Sequence, residues 1–274
     1  MAWFEVHFFS RILGLTSTMN VILPEPDVGI GVDESIWDGR SELPALYLLH
    51  GSSDDHTIWH RRTSIERYVA GKRLAVIMPA LESSYGVRQK NGYDYFRFIT
   101  DEVPDVVQRF FKISPRREDR FVAGLSMGGY AAMKLALCAP EKYSYAASLS
   151  GVTDYITYCQ DSGLDFSGDE HSEEMELSNG NFSNYYELRD FRLNFGSLME
   201  FSGSENDLVA VLNQSTPTKL PKLSISCGTE DPLYHCNQNF CQWLNARGIP
   251  FTYFETPGGH EWGVWDKHIQ QVLN

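Results

Sequence analysis

The feature that most constrains this 274-residue chain is a strand, a tight turn and a helix that follow one another over residues 121–138. Phe121, Val122 and Ala123 form an unbroken apolar run, which is typical of a strand covered on both faces. Alanine and leucine then recur at helical spacing over residues 131–136, and Pro140 ends the pattern. The turn between them reads Gly-Leu-Ser-Met-Gly, at positions 124–128. This succession predicts an α/β architecture with a sharp turn at the edge of a buried sheet.

The turn itself has the pattern G-x-S-x-G, with Ser126 at its centre. A bulky side chain two residues before or after the serine would collide with neighbouring backbone, and glycine at 124 and 128 removes that collision. In this strand–turn–helix context the pattern is a nucleophile elbow, which exposes the serine hydroxyl above the sheet. The free N–H groups of the following helix then point toward any developing oxyanion. We therefore predict that Ser126 is a nucleophile.

The remaining chain alternates strands and helices, which predicts one domain over residues 1–274, built on a mostly parallel central sheet with helices on both faces. The predicted buried strands are 43–51, 73–79, 145–151, 222–228 and 251–256, and the predicted helices are 57–70, 237–246 and 262–273. Residues 4–9 and 18–24 are expected to open the chain as an antiparallel pair, and 27–42 to form a loop. The helical pattern at 93–111 contains Pro104, which predicts two short helices or one kinked helix.

Residues 152–218 depart from this alternation. They lack long apolar periodicity, and nine acids but no Lys or Arg lie between Asp154 and Glu187. The segment follows the strand after the elbow helix, where such folds accept insertions over the active site. We predict a cap or lid at about 152–218. The alternative for its acidic part is a solvated surface excursion.

A nucleophilic serine needs a base, and the base needs an orienting acid. On this architecture the acid follows the serine along the chain, and the histidine follows the acid. Asp231 lies in the turn after the strand 222–228, directly before Pro232, and Glu230 is its rival one residue away. We favour Asp231, because an acid before proline in a tight turn is well placed to point inward. His260 lies in a glycine-rich loop after the last strand and is the predicted base.

His50 and Gly51 end the first long strand, where such folds build an oxyanion hole from backbone N–H groups. We assign the two donors to the backbone of Ser52 and of Met127, and we expect His50 to be structural. His56 and His60 stand four residues apart, but no third ligand supports them, so no metal site is predicted.

The net charge of −13 and the sequence pI of about 5.0 argue against nucleic acid or an anionic membrane as a partner. The chain contains no run of about 18 apolar residues and no basic signal-peptide region, so neither a bilayer span nor a signal peptide is expected. Its five cysteines are odd in number and show no framework spacing, which favours a cytoplasmic location.

Several of these segments together resemble the esterase D family of α/β-hydrolases, which includes S-formylglutathione hydrolases. Within it, bacterial tributyrin esterases look closest, with feruloyl and acetylxylan esterases as relatives. The resemblance is carried by residues 49–51, 65–68, 117–119, 124–130, 147–151, 228–231 and 258–260. It implies an α/β-hydrolase fold, the roles given above to Ser126, Asp231 and His260, hydrolysis of short acyl esters, no cofactor, an intracellular location and often a homo-oligomer.

The sequence therefore predicts a serine carboxylesterase that acts on a small-molecule ester. Acetylxylan or feruloyl esterase and S-formylglutathione hydrolase are the chemical alternatives, and an inactive hydrolase fold that serves as a binding module is the alternative of another class. If the nine acids surround the pocket entrance, they should disfavour anionic substrates such as S-formylglutathione.

Overall fold

The computed structural model describes residues 1–25 and 42–274. The loop predicted at 27–42 lies outside the described residues except for Glu42. Within the described residues, one eight-stranded sheet has the order β1-β2-β4-β3-β5-β6-β7-β8. The strands are β1 Ala2–Ser10, β2 Leu15–Leu23, β3 Ala45–Leu49, β4 Ala75–Pro79, β5 Arg120–Leu125, β6 Tyr145–Leu149, β7 Lys222–Gly228 and β8 Phe251–Thr256.

The pairing of the strands confirms a mostly parallel sheet. β1 and β2 form the expected antiparallel pair, and β2 also runs antiparallel to β4. The strands from β4 through β3, β5, β6 and β7 to β8 are all parallel. The loops that follow β3, β5, β7 and β8 therefore open on one edge of the sheet, and β5 lies between β3 and β6. This edge is where ligands bind in open α/β sheets.

Helices cover both faces of the sheet, as predicted. In β3, Tyr47 and Leu49 point into the larger of two cores, whereas Leu46 and Leu48 point into the smaller one. The helices outside the insertion are α1 Ile58–Arg62, α2 Ile65–Val69, α3 Tyr95–Arg97, α4 Val103–Phe110, α5 Met127–Cys138, α11 Tyr234–Ala246 and α12 Trp262–Val272. α1, α2 and α12 contribute to the smaller core, and α4, α5 and α11 to the larger one.

The predicted helix at 57–70 is in fact two short helices, α1 and α2. Thr63 adopts an extended backbone with φ −131° and ends α1. Its hydroxyl donates to the Trp59 carbonyl at 2.6 Å and accepts from the Ile65 N–H at 3.1 Å. A hydroxyl that competes for backbone partners in this way favours a break over a continuous helix.

Pro104 does not end the helical segment at 93–111. A π-helical turn over Phe98–Glu102 joins α3 to α4, and the Val103 N–H donates to the Phe98 carbonyl. Pro104 then occupies the first turn of α4, where its missing N–H costs little. The wider π-helical turn therefore lets the chain continue from α3 into α4, where the sequence analysis predicted a break or a kink.

The segment 152–218 folds into five helices between β6 and β7. Their bounds are α6 Tyr155–Ser162, α7 Glu170–Ser178, α8 Phe182–Phe195, α9 Leu198–Phe201 and α10 Leu208–Gln214. Aromatic side chains pack these helices against one another and against the main domain: Tyr155 of α6 contacts Phe191 of α8, with ring centroids 5.1 Å apart, and Phe195 lies 5.3 Å from Tyr85 of the main domain. The segment is thus packed and helical, and its role as a lid stays a prediction. No helix among the described residues is long and apolar enough to cross a membrane.

Candidate active site

The turn after β5 is as tight as its glycines predicted. A Cβ atom on Gly124 would lie 2.3 Å from the Gly128 carbonyl oxygen, and one on Gly128 would lie 2.5 Å from the His50 carbonyl oxygen. Ser126 between them has φ 51° and ψ −119°, a backbone conformation that L-residues rarely adopt. Such strain persists only where the surroundings impose it, and it clusters at functional sites.

The structure brings Ser126, His260 and Asp231 together at the carboxyl edge of the sheet. The His260 Nε2 lies 2.9 Å from the Ser126 Oγ. On the other side of the ring, Nδ1 lies 2.9 Å and 3.1 Å from the two carboxylate oxygens of Asp231. The Asp231 side chain has no solvent exposure, whereas the His260 side chain retains 29%. In this arrangement the Ser126 hydroxyl is hydrogen-bonded to a base, His260. The buried carboxylate of Asp231 can fix the tautomer of that base.

Two loops hold the acid and the base in place. The Leu233 N–H donates to the Asp231 carboxylate at 2.8 Å, so the turn after β7 orients this side chain from within. The loops after β7 and β8 also approach closely, because a Cβ atom on Gly228 would lie 2.2 Å from the Gly258 carbonyl oxygen. Glu230 donates its backbone N–H to the same carbonyl at 3.0 Å, and its side chain is exposed. The geometry therefore places Asp231 rather than Glu230 against His260.

His50 is buried and holds the loop after β3, as the sequence analysis expected. Its Nδ1 donates to the Gly51 carbonyl at 2.7 Å, and its Nε2 accepts from the Leu81 N–H at 2.9 Å. Only the neutral ring can serve as donor and acceptor at once. Burial lowers the pKa of His50 to about 4 and keeps the ring in that state.

Both predicted oxyanion donors lie near Ser126: Met127 directly follows it, and Ser52 follows Gly51, where a Cβ atom would lie 3.5 Å from the Ser126 Cβ atom. Met127 is the first residue of α5, and Ser52 belongs to the loop that His50 holds. Among the hydrogen bonds of the described residues, neither backbone N–H has a protein acceptor. Both groups are therefore available to a substrate oxygen, and the helix end at Met127 adds a partial positive charge.

A cavity of about 500 Å³ opens beside Ser126 and His260. One wall comes from the main domain and includes Ser83 and Tyr85, and the other comes from the helical segment. The lining residues contributed by that segment are Val152, Tyr158, Ser183, Tyr186, Glu187, Arg189 and Asp190. A second cleft of about 390 Å³ is also lined by Ser126 and His260, together with Asp54, Trp262 and Trp265.

The sequence analysis missed Tyr85 and Tyr158 as residues of this cavity. Tyr85 has φ 54°, contacts the Ser52 side chain, and lies with its hydroxyl 3.1 Å from that of Tyr155. No local pattern in the sequence marks either tyrosine. Glu187 belongs to the acidic stretch 154–187, and its sequence position did not distinguish it from the other acids of that stretch.

The prediction that nine acids surround the pocket was wrong in its details. Among those nine, all of which the structure describes, only Glu187 lines the cavity beside Ser126, together with Asp190, which lies just beyond that acidic stretch. Seven of the others cap or pair within the helical segment or its neighbours: Asp154, Asp161, Asp165, Asp169, Glu170, Glu173 and Glu176. These acids serve helix termini and ion pairs because a segment of short helices has many free N–H groups to satisfy.

His56 and His60 approach different carboxylates. The His56 Nε2 lies 4.0 Å from a Glu5 oxygen, and the His60 Nε2 lies 3.7 Å from a Glu66 oxygen. Within the described part of the chain, the two rings therefore do not share a partner.

Comparison with known proteins places these observations in a family. The model of the Esterase family matches residues 13–274. An acetyl esterase of Caldicellulosiruptor saccharolyticus is 29% identical over 279 aligned residues, which span 100% of this chain and 97% of that protein.

Two solved structures from Staphylococcus aureus share the whole architecture. The fluorophosphonate-binding serine hydrolase FphF superposes with a TM-score of 0.79 at 32% identity, covering 99% of this chain and 96% of the other. The S-formylglutathione hydrolase FrmB superposes with a TM-score of 0.76 at 32% identity, covering 99% and 97%. These likenesses confirm the α/β-hydrolase fold.

Proposed function

Because this chain belongs to the Esterase family, we propose that it hydrolyses short-chain acyl esters through an acyl-enzyme on Ser126. The observation that carries the proposal is the pair of hydrogen-bond distances on His260: 2.9 Å from Nε2 to the Ser126 Oγ and 2.9 Å from Nδ1 to Asp231. This geometry supports acyl transfer, because the nucleophile, its base and the orienting acid are in contact.

In the first half of the reaction, Ser126 attacks the ester carbonyl while His260 Nε2 takes the hydroxyl proton. Asp231 holds Nδ1–H and stabilises the imidazolium that forms. The carbonyl oxygen becomes negatively charged and accepts hydrogen bonds from the Ser52 and Met127 N–H groups. His260 then returns the proton to the leaving alcohol, and the acyl group stays on Ser126.

In the second half, water enters and His260 takes one of its protons. The resulting hydroxide attacks the acyl carbonyl, the same two N–H groups stabilise the oxyanion, and the proton passes to the Ser126 oxygen as the acid departs. No step requires a cofactor. The cytoplasmic location and a homo-oligomeric state stay predictions.

Short acyl groups are proposed for two reasons. The acetyl esterase relative acts on an acetyl ester by its name. In addition, the acyl and alcohol halves must share the cavity of about 500 Å³ and the adjoining cleft, whose walls carry many polar groups. A polar lining does not favour a long aliphatic chain.

The second candidate, S-formylglutathione hydrolysis, is raised by the likeness to FrmB. Glutathione carries carboxylates, and the cavity presents Glu187 and Asp190. Among the described residues that line the cavity, the one permanent cation, Arg189, is already paired with Asp190 at 2.6 Å. We therefore rank this substrate below neutral esters.

A substrate panel tests the proposal. It comprises p-nitrophenyl esters from acetate to decanoate, with methyl ferulate, acetylated xylan and S-formylglutathione. We expect kcat/KM to be highest between acetate and butyrate and to fall for longer chains. Preference for S-formylglutathione or methyl ferulate would replace the proposed substrate. Failure to label with a fluorophosphonate probe, which requires an activated serine, would favour the binding-module alternative.

A further inference from the structure

We infer that Glu187 and Tyr158 form a subsite for the alcohol half of the ester, which selects alcohols that carry additional hydroxyl groups. The inference rests on the proposed function, because it assumes that an ester is cleaved at Ser126. It assigns a substrate class and two recognition residues to the cavity beside that serine.

Both side chains come from the helical segment and face the reacting atoms. Tyr158 lies on α6 and Glu187 on α8, and both line the cavity that contains Ser126 and His260. The Tyr158 hydroxyl lies close enough to the Glu187 carboxylate to lower the pKa of that carboxyl group, against the larger effect of burial. The subsite therefore lies in the same cavity as the nucleophile.

Among the described residues Glu187 forms no ion pair, and the base whose charge reaches it is His260, which opposes the effect of burial on its pKa. The cation nearest in sequence, Arg189, pairs with Asp190 and stacks over Tyr186. Glu187 is half-buried, and its burial raises the pKa of the carboxyl group. Removing a carboxyl group from water without pairing it with a cation costs free energy, unless hydrogen-bond donors satisfy its oxygens.

The two oxygens of a carboxylate offer about four acceptor positions, of which the neighbouring Tyr158 hydroxyl can fill at most one. A ligand in the cavity can fill the others only with O–H or N–H groups. An acetyl group has none. The alcohol half of the substrate must therefore supply the donors.

The other lining groups favour hydroxyls over an ammonium ion as these donors. Ser83, Ser183 and Tyr186 add neutral hydroxyl groups to the cavity. Each can both donate and accept, which complements a polyol at several positions. An ammonium ion would be attracted by Glu187, but Asp190 is already paired with Arg189, and the positive charge of Arg189 in the same cavity would oppose a second cation.

The test holds the acyl group constant and varies the alcohol. The substrates are glycerol 1-monoacetate, propyl acetate, which has the same three-carbon chain without the free hydroxyls, and acetylcholine. We expect wild type to prefer the monoacetate over propyl acetate by about tenfold or more in kcat/KM, as one hydrogen bond to a charged group implies. In Glu187→Leu this preference should fall about tenfold, chiefly through KM.

Two further variants and one control make the result specific. Glu187→Gln keeps one acceptor oxygen and should retain part of the preference, and Tyr158→Phe should reduce it in the same direction. Glu174→Gln removes the same charge from an exposed position of α7 and should leave both esters unaffected. Thermal unfolding of each variant verifies that it is folded.

Two results would overturn the inference while the esterase assignment stands. One is a wild-type enzyme that hydrolyses glycerol 1-monoacetate and propyl acetate equally well. The other is a preference for the monoacetate that neither Glu187→Gln nor Glu187→Leu reduces. Preference for acetylcholine would overturn it in favour of a cation subsite. If wild type hydrolyses neither p-nitrophenyl acetate nor any of the three acetates, the proposed function itself fails and the inference falls with it.

Discussion

The Ser126 Oγ and the His260 Nε2 lie 2.9 Å apart although 134 positions separate the two residues in the chain. Ser126 directly follows β5 and His260 follows β8, and both strands run in the same direction in one sheet. The contact therefore depends on parallel pairing through β6 and β7. Each prediction below tests one part of the arrangement that this pairing creates.

Ser126→Ala should reduce hydrolysis of p-nitrophenyl butyrate by roughly 10⁴–10⁶-fold, because covalent catalysis is lost and only binding and the oxyanion donors remain. Circular dichroism should show an unchanged fold. Ser178→Ala, at an exposed position at the end of α7, is the matched control and should retain full activity. More than a few per cent of activity in Ser126→Ala would remove this serine from its proposed role.

Asp231→Asn should lower kcat by about 10⁴-fold, because an amide favours the wrong tautomer of His260. Glu230→Gln removes the neighbouring charge, which is exposed, and should be nearly neutral. Steady-state kinetics with p-nitrophenyl butyrate distinguish the two variants. The reverse ranking would transfer the acid role to Glu230 and contradict the contact between Asp231 and His260.

Gly124→Ala should destabilise the protein by at least about 2 kcal/mol, because the new Cβ atom would meet the Gly128 carbonyl oxygen at 2.3 Å and backbone would have to move. Gly263→Ala is the matched control. Gly263 lies in α12, and no neighbouring atom of the described residues comes within 4 Å of the place that a Cβ atom would take there. Alanine at 263 should therefore stabilise by roughly 0.5–1 kcal/mol. Urea unfolding measures both, and equal effects would contradict the predicted steric limit at the elbow.

His50 should make folding stability fall as the pH is lowered from about 6.5 toward 4. Its pKa is lowered to about 4 in the folded protein, whereas the ring in the unfolded chain has its ordinary value of 6.5. Between these values the unfolded state binds more protons, so stability is lost on acidification, by about 2 kcal/mol between pH 7 and pH 5. His50→Gln should flatten this part of the profile, measured by urea unfolding at several pH values. His268, whose pKa is also lowered to about 4 by burial, should leave a residual slope. An unchanged profile in His50→Gln would show that His50 does not supply the effect.

Local patterns were sufficient to locate much of the fold. Apolar runs marked β3, β4 and β5, because strands covered on both faces favour apolar side chains, whereas β6 and β7 also bury Ser148, Ser224 and Ser226. Local patterns did not predict the backbone at Thr63 and Pro104. A side-chain hydrogen bond ends the helix at Thr63, and a π-helical turn carries the helical segment past Pro104. Both depend on contacts between particular atoms rather than on the spacing of residue types.

The sequence by itself determined which residues stand at the carboxyl edge of the sheet, because strand order along the chain and turn chemistry place Ser126, Asp231 and His260 after parallel strands. Only the tertiary structure decided what surrounds them. The packing of Tyr155 and Phe195 against Tyr85 attaches the helical segment beside the serine. That packing brings Glu187 into the cavity, while most of the acids before it cap helices or form ion pairs elsewhere. Side chains that are alike in sequence differ in role because burial and partners are properties of the folded chain.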